Sequence, residues 1–170
     1  RELCAYPDEQ VVLLSEAQAT RQGVLAGLDA LAKTQPEDTV LLFYSGHGEY
    51  GSDGAYYLTT YDTEISGLRV KAGTGIADKE LLEKLRAIPA KRLILLCNAC
   101  HAGEISPSLG PSPTGELPGD KQLPPEAVEA VLGTGEGRII ITACRSSQRA
   151  WFVAGGLTFF AQALVDGLSG

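Results

Sequence analysis

Three nearly unbroken apolar runs limit what this chain can fold into: Val40-Leu-Leu-Phe-Tyr44, Arg92-Leu-Ile-Leu-Leu-Cys97 and Arg138-Ile-Ile-Ile-Thr-Ala143. Runs this short, rich in β-branched and aliphatic side chains, predict strands covered on both faces, as in a parallel sheet. Helical segments lie between them. Residues 17–32 carry Val24, Leu25, Leu28 and Leu31 at helical spacing, with Thr20 as a cap. Residues 78–86 place Leu81, Leu82 and Leu85 on one face, and residues 156–168 are apolar on one side. Shorter strands are expected at 11–14 and 55–60, a turn at 35–39, a short helix at 125–132, and glycine- or proline-rich loops at 46–54 and 103–125. Strands alternating with helices predict an α/β fold, a three-layer sandwich around a mostly parallel sheet. At 170 residues it is a single domain spanning 1–170.

Two motifs follow the first two apolar runs. They are Tyr44-Ser-Gly-His-Gly-Glu49 and Cys97-Asn-Ala-Cys-His-Ala-Gly103, and they hold both histidines of the chain. Ligands of a parallel sheet sit at the carboxyl ends of its strands, so His47 and Cys100 are expected on one edge, just past the strand ends. A thiol, an imidazole and flanking glycines are the parts of a cysteine hydrolase. Cys100 is the candidate nucleophile, activated if a short helix starts there, and His47 the proton donor. The N–H groups of Gly48 and Cys100 are the oxyanion donors, and Gly46 and Gly103 let the chain turn. Ser45 and Asn98 each precede a reactive residue by two, so each shares its face and lines the substrate pocket. Ser146 and Ser147 edge the same cleft. His101 is expected to point away from Cys100.

Other readings compete. Cys97-x-x-Cys100-His101 matches a c-type haem attachment signature, with His47 as second axial ligand, and Cys-x-x-Cys is also a redox motif. Against both, Cys97 closes an apolar strand and faces the core, and neither explains Ser-Gly-His-Gly. Asp53, Asp62 and Glu64 could ligate calcium, but their spacing fits no loop motif.

The formal net charge of −7 argues against a nucleic-acid partner. No apolar stretch is long enough to span a membrane, and no signal peptide opens the chain. Four scattered cysteines fit a reducing compartment, so a cytoplasmic protein is expected. The chain contains no methionine, so Arg1 is read as lying inside a longer product.

The two motifs and their order resemble the caspase-like cysteine peptidases of the caspase–hemoglobinase fold, nearest to bacterial members and metacaspases. Leu41-Leu-Phe-Tyr-Ser-Gly-His-Gly48 is similar to the family's histidine motif, and Leu95-Leu-Cys-Asn-Ala-Cys-His-Ala-Gly103 to its cysteine motif. Ile139-Ile-Ile-Thr-Ala-Cys-Arg-Ser-Ser-Gln148, followed by Gly156-Leu-Thr-Phe-Phe160, resembles the start of the small subunit. The resemblance implies a His47–Cys100 dyad, an oxyanion site at Gly48, and cleavage of protein or peptide substrates. It divides the chain into a large-subunit-like part (1–103), an intersubunit linker with a short helix (104–137) and the start of a small-subunit-like part (138–170). Lys121 and Arg138 become candidate processing sites. No cofactor is required, although some relatives use calcium. The family's first strand is not found here, so a further segment or chain is expected to complete the domain. Metacaspase-like enzymes carry an aspartate where this chain has Asn98. An amide cannot pair with a guanidinium as a carboxylate does, so the family's cut after a basic residue is in question here. A catalytically silent, partner-binding caspase-like module is the alternative.

Overall fold

The computed structural model describes residues 6–101, 137–143 and 156–169. Lys121, Cys144, Ser146, Ser147, the expected helix at 125–132 and the loop at 103–125 lie outside these residues. The elements run α1 (Arg21–Leu31), β1 (Thr39–Tyr50), β2 (Tyr56–Leu58), β3 (Ile65–Ser66), β4 (Arg69–Val70), β5 (Ile76–Ala77), α2 (Asp78–Arg86), β6 (Arg92–His101), β7 (Arg138–Thr142) and α3 (Phe159–Ser169).

The main sheet has the order β5-β2-β1-β6-β7, and β3 and β4 form a separate hairpin. β1, β6 and β7 are parallel to one another, whereas β2 and β5 extend the sheet antiparallel. This is a mixed α/β sheet with a parallel centre, flanked by helices. On its β2 side β1 is paired only at Gly48–Tyr50, so residues 39–47 border no strand there among the described residues.

Helices α1 and α2 cover one face. Leu28 of α1, Leu81 and Leu85 of α2, and Val40, Leu93, Leu95 and Cys97 of the sheet share one buried core. Thr20 accepts the Gly23 N–H at 3.1 Å and starts α1, a cap worth about 1 kcal/mol. In α2, Asp78 and Glu80 occupy the first turn and Lys84 and Arg86 the last, the charge order that the helix dipole favours. Arg21 joins the two helices through both carboxylate oxygens of Glu80, at 2.6 and 2.8 Å.

Four expectations change. Residues 11–14 form no strand; Val11, Val12 and Leu13 are exposed, because a four-residue apolar run finds no partner strand here. The first helix starts at Arg21, where Thr20 caps it, rather than at 17. Residues 46–50, expected as loop, continue β1. The central strands are not buried on both faces: Leu41, Phe43, Ile139 and Ile141 are 44–50% exposed on the side away from α1 and α2. No helix among the described residues is long and apolar enough to cross a membrane.

Candidate active site

The Ser-Gly-His-Gly segment is extended because its glycines make room for tyrosines. Neither Gly46 nor Gly48 has a positive φ, and Gly46 lies inside β1 rather than at the turn expected there. A Cβ on Gly46 would lie 2.5 Å from Tyr44 Oη, and one on Gly48 would lie 1.8 Å from Tyr56 Oη. The even positions of β1 thus pack the core, and Ser45, His47 and Glu49 occupy the other face.

Bent back beneath Gly46, Tyr44 donates its hydroxyl to His47 O at 2.7 Å, with Thr59 O also at 2.9 Å. Thr59 N–H and Thr59 Oγ1 reach the same His47 carbonyl at 2.9 and 3.1 Å. The histidine backbone is therefore fixed from beneath and from the β2 side. Burial pushes the Tyr44 hydroxyl well above the ordinary tyrosine range, so it remains a donor at neutral pH. The Thr59-to-His47 bond also marks Gly48↔Leu58 as a non-hydrogen-bonded pair, which turns the Gly48 N–H away from β2 and toward β6.

On β6 the parallel register sets His47 beside Cys100 and Ser45 beside Asn98. Neighbouring strands lie about 4.8 Å apart, so positions 47 and 100 are immediate lateral neighbours. They lie within their strands, not past the ends, because both strands run further than the apolar pattern suggests. β6 also continues through His101, so the helix expected to start at Cys100 does not start there. His47 Nδ1 is buried and has no hydrogen-bond partner; that nitrogen is not tied to the backbone, as it would be in a purely structural histidine.

Asn98 is 3% exposed. Its Nδ2 donates to Ser45 Oγ at 3.0 Å and to Thr158 Oγ1 at 2.9 Å, while its Oδ1 has no partner. Thr158 also accepts the Ala161 N–H at 3.1 Å at the start of α3, and so brings that helix to the reactive face. Thr158, Tyr44 and Thr59 escaped the sequence reading. A threonine before an apolar helix signals a cap, but nothing in the sequence links Thr158 to Asn98; Gly46 two residues after Tyr44 was the one available hint of a ring folding back.

The extended β6 backbone separates positions 97 and 100 by about 10 Å and assigns them to opposite faces. A disulfide needs Cα atoms within about 7 Å, and two thioether links to one haem need a common side. Cys97 itself is buried in the core.

The acids considered for calcium have separate partners. The Tyr57 hydroxyl and the Ala55 N–H hold Asp53 below the usual carboxylate range. The Arg21 N–H does the same for Asp62, and Glu64 pairs with Lys71 at 2.8 Å. Among the described residues no three His, Cys, Asp or Glu side chains gather closely enough to hold a metal.

Arg138, considered as a cleavage site, is 9% exposed within β7. Its guanidinium donates to the carbonyls of Leu85, Ile88 and Ala90, so in the folded chain it is a buried cap for the end of α2 rather than an open loop residue.

No curated protein and no solved structure gives a significant match to the chain. The family model of the caspase domain, peptidase family C14, matches residues 10–170. With the match covering nearly the whole sequence, the chain belongs to the caspase-domain family of cysteine peptidases.

Proposed function

We propose that this chain is a cysteine endopeptidase working through a His47–Cys100 dyad. The observation that carries the reading is the in-register placement of these residues on adjacent parallel strands. In this mechanism the Cys100 thiolate attacks the substrate carbonyl carbon and the carbonyl electrons move onto oxygen. The family resemblance assigns the oxyanion to the N–H groups of Gly48 and Cys100; both face the β1–β6 ladder here, so turnover requires their release from it. As the tetrahedral intermediate collapses, the C–N bond breaks and His47 gives its proton to the leaving amine. Water then attacks the thioester, with His47 as base, and releases the acid and the thiol. The register that sets position 47 beside position 100 and the fixed His47 carbonyl support the role given to the histidine.

Hydrolysis of a fluorogenic peptide panel by the wild type, Cys100→Ala and His47→Ala tests the proposal. Activity lost in both variants, with fast alkylation of Cys100 that slows in His47→Ala, is the expected result. An inert, folded wild type whose Cys100 alkylates no faster than an ordinary thiol would favour the partner-binding module.

A further inference from the structure

Among the described residues, Asn98 buries an amide oxygen with no partner on the same face of the sheet as His47. Both Nδ2 hydrogens are used, on Ser45 and Thr158, and Oδ1 has no partner. A buried carbonyl in that state carries an uncompensated desolvation penalty, which is recovered when a donor arrives. Ser45, beside it, is exposed. Because its Oγ accepts from Asn98, its own O–H is left to donate outward. Position 98 lies two residues before Cys100, about 6.6 Å along the strand, within reach of a medium-length side chain on the residue before the scissile bond.

We infer that this pocket selects an uncharged primary carboxamide, glutamine or asparagine, before the cut: the substrate amide donates N–H to Asn98 Oδ1 and accepts the Ser45 O–H on its carbonyl. The inference rests on the peptidase reading above. An adjacent acceptor and donor match the two ends of a carboxamide. A carboxylate would set its lone pairs against Oδ1. A guanidinium or ammonium would satisfy Oδ1, but as a buried charge without a counter-ion it pays a desolvation cost. The nearest carboxylate on that face of β1, Glu49, stands four residues from Ser45, about 13 Å along the strand.

The test measures kcat/KM for tetrapeptide aminocoumarin amides that differ only in the residue before the coumarin, with Gln, Asn, Arg, Lys and Asp compared. Wild type is expected to favour Gln or Asn over Arg and Lys by about tenfold or more. Asn98→Asp should invert that order. Ser45→Ala, which removes the donor to the substrate carbonyl and the acceptor for Asn98 Nδ2, should lower kcat/KM for the Gln and Asn peptides several-fold more than for the Arg and Lys peptides. Preference for Arg or Lys in the wild type overturns the inference and leaves the peptidase reading standing. Preference for Asp also overturns it, since Nδ2 rather than Oδ1 would then face the substrate. Cleavage that persists in Cys100→Ala, or a wild type inert to all five peptides, overturns both readings.

Discussion

Gly48→Ala tests whether this glycine is a packing requirement. An added Cβ would sit 1.8 Å from Tyr56 Oη, 2.6 Å from Cζ and 3.2 Å from Cε2. Ordinary contact begins at 3.4 Å, so the hydroxyl and the backbone must separate by about 1.6 Å, the difference between the last value and the first. Tyr56 has little freedom to move. It is 2% exposed, and its ring packs edge-on against Tyr50, with centroids 5.7 Å apart at 78°. Overpacking of this kind costs about 1–3 kcal/mol, and a rigid buried ring places this case near the upper end. For a chain of this size, about 3 kcal/mol lowers Tm by about 6–12 °C. Displacement of the strand should also move the Gly48 N–H and the adjacent His47, and a misplacement of about 1 Å can reduce kcat about 10²-fold. Thermal melts followed by circular dichroism, with peptide hydrolysis on the same samples, measure both effects. Adding Tyr56→Phe removes the closest contact but leaves Cζ at 2.6 Å, so the double variant should recover only part of the lost stability. A Gly48→Ala protein that melts within about 1 °C of wild type would refute the packing argument. One that is destabilised but turns over normally would refute the catalytic role proposed for Gly48.

Tyr44→Phe removes the donor to His47 O; a stability loss of about 0.5–1.5 kcal/mol by urea titration is expected, with kcat lowered and KM little changed, and an unaltered kcat would show that Thr59 alone fixes the histidine. Arg138→Met leaves the carbonyls of Leu85, Ile88 and Ala90 without the guanidinium and should cost about 2–4 kcal/mol in the same titration; a loss below about 0.5 kcal/mol would show that water replaces it. Burial raises the hydroxyls of Tyr44 and Tyr56 above the ordinary value of 10.0. Their contribution to stability is therefore fully present below pH 10 and is lost as pH climbs above it. Tm should thus show no tyrosine-linked change from pH 7 to 9 and fall above pH 10, and phenolate absorbance at pH 11 should lack these two residues until the chain unfolds; their early ionisation would contradict the burial.

Periodicity made much of the fold legible. Leu81, Leu82 and Leu85 mark α2, and the apolar runs mark β1, β6 and β7, because each pattern follows directly from which face is buried. The same runs also misled. Val40-Leu-Leu-Phe-Tyr44 reads as buried on both sides, yet only its even positions pack on α1 and α2, and the sequence does not say how much covers Leu41 and Phe43. The site was legible in its residues but not in its geometry. Gly46 and Gly48 resemble loop punctuation until Tyr44 and Tyr56 are seen to need the space that a Cβ would take. Asn98 could be named from its motif, but its saturated Nδ2 and orphaned Oδ1 depend on Thr158, 60 residues away, a contact that no local pattern encodes. The motif is better understood as one two-sided strand. Its even positions, 44, 46, 48 and 50, face the core, and its odd positions, 45, 47 and 49, face the side on which the dyad is proposed. Substitutions on the even side should act first on stability and reach activity only through displaced backbone. Changes at Ser45 or His47 should act on turnover or selectivity with little effect on Tm, a division that depends on β1 remaining extended through Tyr50.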